Sequence, residues 1–338
     1  GVPAQFWSNL ESIYRDKLVR IKIENEMEDD LMLSKKMPYS EMAKQGWVPK
    51  TTVARERVIN LRKHFEVVKL SLIGDSRLNC IACRRMAGSE KADYALLAWA
   101  QRAKIEARSI NTAPIDIKLL KKRIPDIRKM TVLKPSEFCN KLINLLSECG
   151  VALVFLPHIG GSFLHGATFY DGNKIVVGLT VRGKYADKFW FSLFHELAHI
   201  ILGHIGQPNG TTQQNEDDAD AFARETLIPS NQFDAFVKQN DYSIVVVRNF
   251  ADRIGIDVGI VVGRLLGAGK MEEAVDTFGA NVNATTLEDS DINLLDLVSL
   301  KKKLANQANE LEVTTAKYDL INAMNDYYYG TMGQIEIS

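Results

Sequence analysis

The chain has 338 residues with 42 acidic and 42 basic side chains, so its formal net charge is zero. Hydrophobic residues make up 46% and charged residues 25%, which is typical of an ordinary globular protein of about two domains. No apolar run reaches the ~20 residues that span a bilayer, the start lacks a signal-peptide pattern, and 4 cysteines are too few for a disulfide scaffold. The sequence therefore predicts a cytoplasmic protein without a membrane partner.

The charges are unevenly distributed along the chain. Residues 50–130 hold 19 basic against 8 acidic side chains, whereas residues 201–338 hold 10 against 21. A basic segment suits phosphates or an acidic partner, although a solvated helical surface has the same composition. We therefore expect at most a weak contact with DNA through residues 50–130.

The first part of the chain has helical periodicity. Pro3 suits a first helical turn, and Phe6, Leu10 and Tyr14 repeat at four-residue spacing. These residues belong to the first predicted segment, residues 1–35. Residues 36–130 form a predicted helical, basic linker domain. The helices predicted within it cover residues 40–46, 51–68, 78–103 and 115–124.

The pattern changes in the third predicted domain, residues 131–268. A helix ending at Gly150 is followed by the β run Val151–Leu156 and by two runs that flank Asp171-Gly172, which is typical of a hairpin turn. A long apolar helix containing His195 comes next, and more helices follow it. Residues 269–338 are predicted to be a helical C-terminal extension. The predicted fold class is α+β, with a small sheet against the His195 helix.

The His195 helix contains the pattern His195-Glu196-x-x-His199. Two histidines four residues apart project from one helix face and can bind one zinc ion. The glutamate between them can act as the general base toward a water molecule that the metal polarises. The sequence therefore predicts Zn²⁺ as cofactor, His195 and His199 as ligands, and Glu196 as the catalytic residue.

A catalytic zinc ion needs a third protein ligand. We predict Glu216, which we place at the start of the helix after the loop, with Asp218 as the alternative metal ligand. Asp220 lies four residues after Glu216, on the same helix face, where it can accept the free ring N–H of a ligand histidine. His204 is a weaker candidate, because five residues along a continuing helix would point it about 140° away from His199.

The same residues resemble the ImmA/IrrE family of bacterial zinc metallopeptidases. The resemblance rests on the HExxH segment through Gly203-His204, on Glu216-x-x-Ala219-Asp220-x-Phe222-Ala223, and on Leu227-Ile228-Pro229. Other segments are similar to the branch that is fused to a HigA-like, Xre-type helix-turn-helix regulator. They are Gly166-Ala167-Thr168, the run from Asp187 to Phe191, the run from Gly259 to Leu265, and residues 1–14, which look like the last helix of that regulator.

The resemblance implies a zincin-like metallopeptidase domain that hydrolyses a regulatory protein, such as a transcriptional repressor, in stress responses or in mobile-element or toxin–antitoxin control. It also implies that residues 1–35 are a remnant of a helix-turn-helix domain whose base-reading part is missing. The alternative function is a transcription regulator or antitoxin-like binding protein with a latent or sensing zinc domain. The expected partner is a protein substrate or toxin-like protein, and an oligomer is compatible with the sequence.

Overall fold

The structure is a computed structural model, and it describes residues 4–73, 90–160, 165–180, 186–207, 211–242 and 244–268. The helices before the sheet are α1 (Ala4–Lys36), α2 (Tyr39–Lys44), α3 (Ala54–Phe65), α4 (Glu90–Ala107), α5 (Ile117–Lys129) and α6 (Pro135–Glu148). Short 3₁₀ turns occupy Leu70–Leu72 and Met130–Val132. The predicted C-terminal extension, residues 269–338, lies outside the described residues.

The sheet has three strands, β1 (Val151–Leu156), β2 (Gly166–Asp171) and β3 (Lys174–Thr180), in the order β1-β3-β2. Strand β2 pairs with β3 in antiparallel register, with Asp171 opposite Lys174, which confirms the predicted hairpin. Strand β1 pairs with β3 in parallel, with Val151 opposite Ile175. The central strand β3 thus joins a hairpin to a parallel neighbour.

Both faces of the sheet are covered, which explains why β1 is apolar along its whole length and why β3 is apolar between Lys174 and Thr180. Alternate residues of β1 and β3, among them Leu153 and Val177, pack in a core with α6 and the helices that follow the sheet. The intervening residues, among them Val154 and Val176, pack in a second core with α2, α3 and α4. Trp99 of α4 lies in this second core, and its Nε1 donates to the carbonyl oxygen of Pro157 at 3.1 Å.

The helices after the sheet are α7 (Ala186–Ile201), α8 (Gln213–Leu227), α9 (Ser230–Val237), α10 (Ile244–Ile254) and α11 (Val258–Gly267). Helix α7 is buried along most of its length and lies against β2 and β3, as predicted. Helix α9 was not predicted. The predominance of helix beside one small mixed sheet confirms the α+β class. Among the helices of the described ranges, none combines the length and the apolar character needed to cross a membrane.

Candidate metal centre

The two histidines of the HExxH pattern lie on one face of α7. His195 and His199 are both buried, and their Nε2 atoms are 3.1 Å apart. The four-residue spacing brings the two imidazole rings from successive helical turns to one point. Two ring nitrogens at this distance can share one proton or bind one metal ion.

Helix α8 brings a carboxylate to the same point. The hydroxyl of Thr212 accepts a hydrogen bond from the backbone N–H of Asn215, and the Asn215 side chain accepts from the backbone N–H of Thr212. Because of this capping box, the helix begins three residues earlier than predicted, and Glu216 is its fourth residue rather than its first. Glu216 Oε2 lies 3.2 Å from His195 Nε2, and Glu216 Oε1 lies 3.6 Å from His199 Nε2.

Asp220 follows one turn later on α8 and contacts the other side of the His195 ring. The distance from His195 Nδ1 to Asp220 Oδ1 is 2.8 Å. An Nδ1–H that donates to this carboxylate leaves the Nε2 lone pair of His195 directed at Glu216 and His199. Asp218 is exposed, accepts a hydrogen bond of 2.8 Å from the side chain of Gln214, and is not in the group of possible metal ligands found among the described residues.

The buried acids around the imidazoles shift several pKa values. Burial acts to lower the pKa of His195, but hydrogen bonds to Asp220 and Glu216 and the charge of Glu196 outweigh burial and raise that pKa to about 10. Burial acts to raise the pKa of Glu216, but the hydrogen bond from His195 and the nearby ring of His199 hold this pKa well below its usual range. The group therefore attracts positive charge, which a divalent metal ion can supply in place of protons.

The donor atoms fit a metal ion. Ligand atoms of His195, His199 and Glu216 all lie within 4.8 Å of one another. Glu216 Oε1 is buried and accepts no hydrogen bond from the described residues. Such an oxygen is costly to bury, and a bound metal ion would satisfy it. Two histidines and one carboxylate also leave a coordination position open, as catalytic metal sites do.

Glu196 is buried against strand β2, beside the two histidines. Thr168 Oγ1 donates a hydrogen bond of 2.5 Å to Glu196 Oε2. The backbone of Gly166 approaches the other oxygen so closely that an ideal Cβ at this position would lie 2.6 Å from Glu196 Oε1. Burial raises the pKa of Glu196, although the charges of His199 and His195 and the Thr168 hydrogen bond act in the opposite direction. One carboxylate oxygen is thus anchored, and the raised pKa favours proton uptake by this group.

The end of α7 places a third histidine beside the group. The helix ends at Ile201, and Gly203 takes a left-handed conformation with φ of 76°. The N–H of His204 donates to the carbonyl of His199 at 2.8 Å, and the N–H of Gly203 donates to that of Ile200 at 3.3 Å, which is the Schellman pattern. The chain therefore folds back, and His204 Nδ1 lies 3.1 Å from His199 Nδ1 rather than pointing away as expected for a continuing helix.

A cleft of about 730 Å³ adjoins the group, a volume within the range of ligand sites. His195, Glu196 and Asp220 are among its lining residues, and apolar side chains of α8, α9 and α11 extend the lining. His165, Tyr170 and Tyr185 have side chains of the type that can donate a hydrogen bond to a developing oxyanion. His165 lines the cleft, Tyr170 is exposed and lies outside the lining, and Tyr185 is outside the described residues.

A small sheet, a helix with HExxH and a following helix with a buried glutamate together define the metallopeptidase class of hydrolases. Residues 176–266 match the family model of the IrrE N-terminal-like domain, peptidase family M78. This part of the chain is therefore a metallopeptidase-family domain, as the resemblance predicted. The match does not include residues 1–175, so the fusion to a helix-turn-helix regulator stays a prediction, as do the domain boundaries. No curated protein and no solved structure matches the chain.

Proposed function

We propose that this chain is a zinc-dependent endopeptidase that hydrolyses a peptide bond in a regulatory protein. The observation that carries the proposal is the buried group of His195, His199 and Glu216, which lies beside Glu196 and borders an open cleft. In this proposal the two histidines hold zinc through Nε2 and Glu216 through its carboxylate. When bound, zinc supplies Lewis-acid polarisation of a water molecule and of the scissile carbonyl group.

Glu196 is the general base in this proposal. The Thr168 hydroxyl donates a hydrogen bond to Oε2 of Glu196, so Oε1 is the oxygen that accepts a proton from the attacking water. The water oxygen forms a bond to the carbonyl carbon, the carbon–nitrogen bond breaks, and the proton held on Glu196 passes to the leaving amine nitrogen. Asp220 keeps the His195 ring in the tautomer that presents Nε2.

The choice of a regulatory protein as substrate is supported by the resemblance to the ImmA/IrrE family, whose members relieve repression by cleaving repressors. The cleft is compatible with a peptide, because it combines apolar lining with charged side chains such as Lys188, Asp187 and Arg224. Cys139 and Cys149 are free and buried, which is compatible with a reducing compartment. We therefore propose that the activity is cytoplasmic.

The test combines metal content with cleavage. We expect about one zinc ion per purified chain, no zinc in His195→Ala, and full zinc with loss of cleavage in Glu196→Gln, because that change removes the base and keeps the ligands. Asp217→Asn is the matched control, since Asp217 is an exposed acid of the same helix as Glu216. Cleavage is measured on a repressor encoded beside the gene and on a quenched fluorescent peptide library. A zinc-loaded chain that cleaves neither would contradict the proposal.

A second candidate is a binding protein for DNA or for a toxin-like partner. It is favoured by the basic charge of residues 50–130 and by the exposed side chains of Lys118, Lys121 and Lys122 on α5. This function predicts a complex that weakens with increasing salt and is unchanged by Glu196→Gln. Gel-shift titration over a salt series, with each lysine replaced by glutamine, distinguishes it from the peptidase.

A further inference from the structure

The turn that ends α7 is built to return the chain onto the metal group. Gly203 has a left-handed backbone that other residues adopt only with strain, and it leads the chain back across the last helical turn. In the Schellman pattern, the residue after the glycine contacts the residue five positions earlier. Here these two residues are His204 and His199.

The two rings meet edge to face, with centroids 5.3 Å apart and an interplanar angle of 66°. His199 is fully buried and His204 is 8% exposed, so little water competes for the contact between their Nδ1 atoms. The contact uses the ring nitrogen of His199 that does not face the metal group, because His199 Nε2 is the atom near His195 and Glu216. His204 therefore approaches the ring nitrogen of His199 that a metal ion bound through Nε2 would leave free.

We propose that His204 is a positioning residue for the metal ligand His199, holding its ring by accepting a hydrogen bond from Nδ1–H. A neutral imidazole that binds a metal through Nε2 carries its proton on Nδ1, which must then donate. His204 Nδ1 accepts this hydrogen bond, so His204 carries its own proton on Nε2. The proposal rests on the metal site of the proposed function.

The two ligand histidines thus have different partners. His195 donates to the carboxylate of Asp220, whereas His199 donates to a neutral ring. Such partners orient a ligand ring and fix its tautomer, and their loss typically weakens metal binding by about 10- to 100-fold. A purely structural helix cap would need only the shape of His204 and not an acceptor at Nδ1.

The experiment distinguishes the need for a hydrogen-bond acceptor at position 204 from the need for the shape of the His204 side chain. His204→Leu fills the turn with an apolar side chain, which suits the Schellman contact, but it removes the acceptor. His204→Asn keeps an acceptor, because its Oδ1 corresponds in position to Nδ1 of histidine. Zinc dissociation constants are measured by competition with a chromophoric chelator, and the visible spectrum of the Co²⁺-substituted protein reports ligand geometry. Melting temperatures of the metal-free proteins control for folding.

We expect His204→Leu to raise the zinc dissociation constant about 10- to 100-fold and to alter the Co²⁺ spectrum. His204→Asn should stay close to the original protein in both measurements. Equal zinc affinity in His204→Leu overturns the inference, and so does an equal loss in both variants, since that would show a need for shape alone.

Failure of the proposed peptidase function can be distinguished from failure of the positioning role of His204. If the original chain binds zinc but cleaves no peptide or repressor, the peptidase function fails, while the contrast between the two His204 variants still supports the positioning role. If the original chain binds no zinc, both proposals are overturned.

Discussion

Substituting Gly166 by alanine adds a single carbon atom in contact with Glu196. The backbone of Gly166 is not left-handed, so alanine introduces no strain in φ. The added Cβ would lie 2.6 Å from Glu196 Oε1, 2.7 Å from its Cγ and 2.9 Å from its Cδ. All three nearest atoms belong to Glu196, so the change is directed at the proposed base and not at the metal ligands.

The size of the effect follows from these distances. The distance of 2.6 Å between the added Cβ and Glu196 Oε1 is about 0.8 Å shorter than the 3.4 Å at which ordinary contacts begin. The carboxylate must therefore move by roughly that amount. Movement away from Gly166 also stretches the 2.5 Å hydrogen bond from Thr168. Since a misplacement near 1 Å can cost about 100-fold in rate, we expect kcat to fall by about two orders of magnitude. Zinc affinity should be unchanged.

The assay compares kcat for a quenched fluorescent peptide and bound zinc for Gly166→Ala and Gly160→Ala. Gly160 is exposed, and a Cβ there would meet its nearest atom at an ordinary 3.8 Å, so this control should keep full activity. Full activity in Gly166→Ala would refute the assignment of the base. A loss of both zinc and rate would show that the strand moves as a whole.

Thr168→Val keeps the shape of the side chain and removes the hydrogen-bond donor to Glu196. Because hydrogen bonds to charged groups are worth about 1.5–3 kcal/mol, we expect peptide cleavage to slow by roughly 10- to 100-fold. Burial lowers the pKa of His64 from 6.5 to about 4, so the unfolded chain binds its proton more tightly. The free energy of unfolding, measured in urea melts, should therefore decrease by about 3 kcal/mol as the pH falls from 6.5 to 4. Gly178→Ala would place a Cβ 2.5 Å from the Trp99 ring and should cost about 1–3 kcal/mol in the same melts.

The predictions for Thr168 and His64 each have a control variant. Thr168→Ser restores the donor and should recover most of the rate, whereas equal rates in the valine and serine variants would exclude the hydrogen bond as the cause. His64→Gln removes the titrating ring, so the acid-dependent loss of stability should become smaller, and an unchanged pH dependence would contradict the assignment to His64. For Gly178, an unchanged melt would show that Trp99 can move freely.

The metal group was predictable because its members lie at helical spacing. His195 and His199 are four residues apart, and so are Glu216 and Asp220, so local geometry determines which side chains share a face. The predicted start of α8 is three residues too late, because the acidic residues from Glu216 onward locate a helix start less exactly than the capping pair Thr212 and Asn215 does.

The contacts of Thr168 and His204 were not predicted, for two different reasons. Thr168 reaches Glu196 from a strand that is 28 positions distant in sequence, and no periodicity specifies which strand lies under a helix. His204 depends on one backbone angle at Gly203. Because glycine commonly ends a helix, Gly203 is the signal in the sequence that indicates this contact.

Helices that precede the sheet cover one of its faces, and this has a consequence for attempts to isolate the peptidase domain. The family match begins at residue 176, inside β3, and it therefore excludes β1 and the helices that cover the second face. A recombinant piece that begins at residue 131 would leave Val154, Phe169 and Val176 without the α4 side chains that now cover them. Phe169 follows Thr168 directly on β2, so water on that face would border the strand that anchors Glu196. We expect such a piece to aggregate when expressed alone, whereas one that retains residues 27–268 should stay in solution.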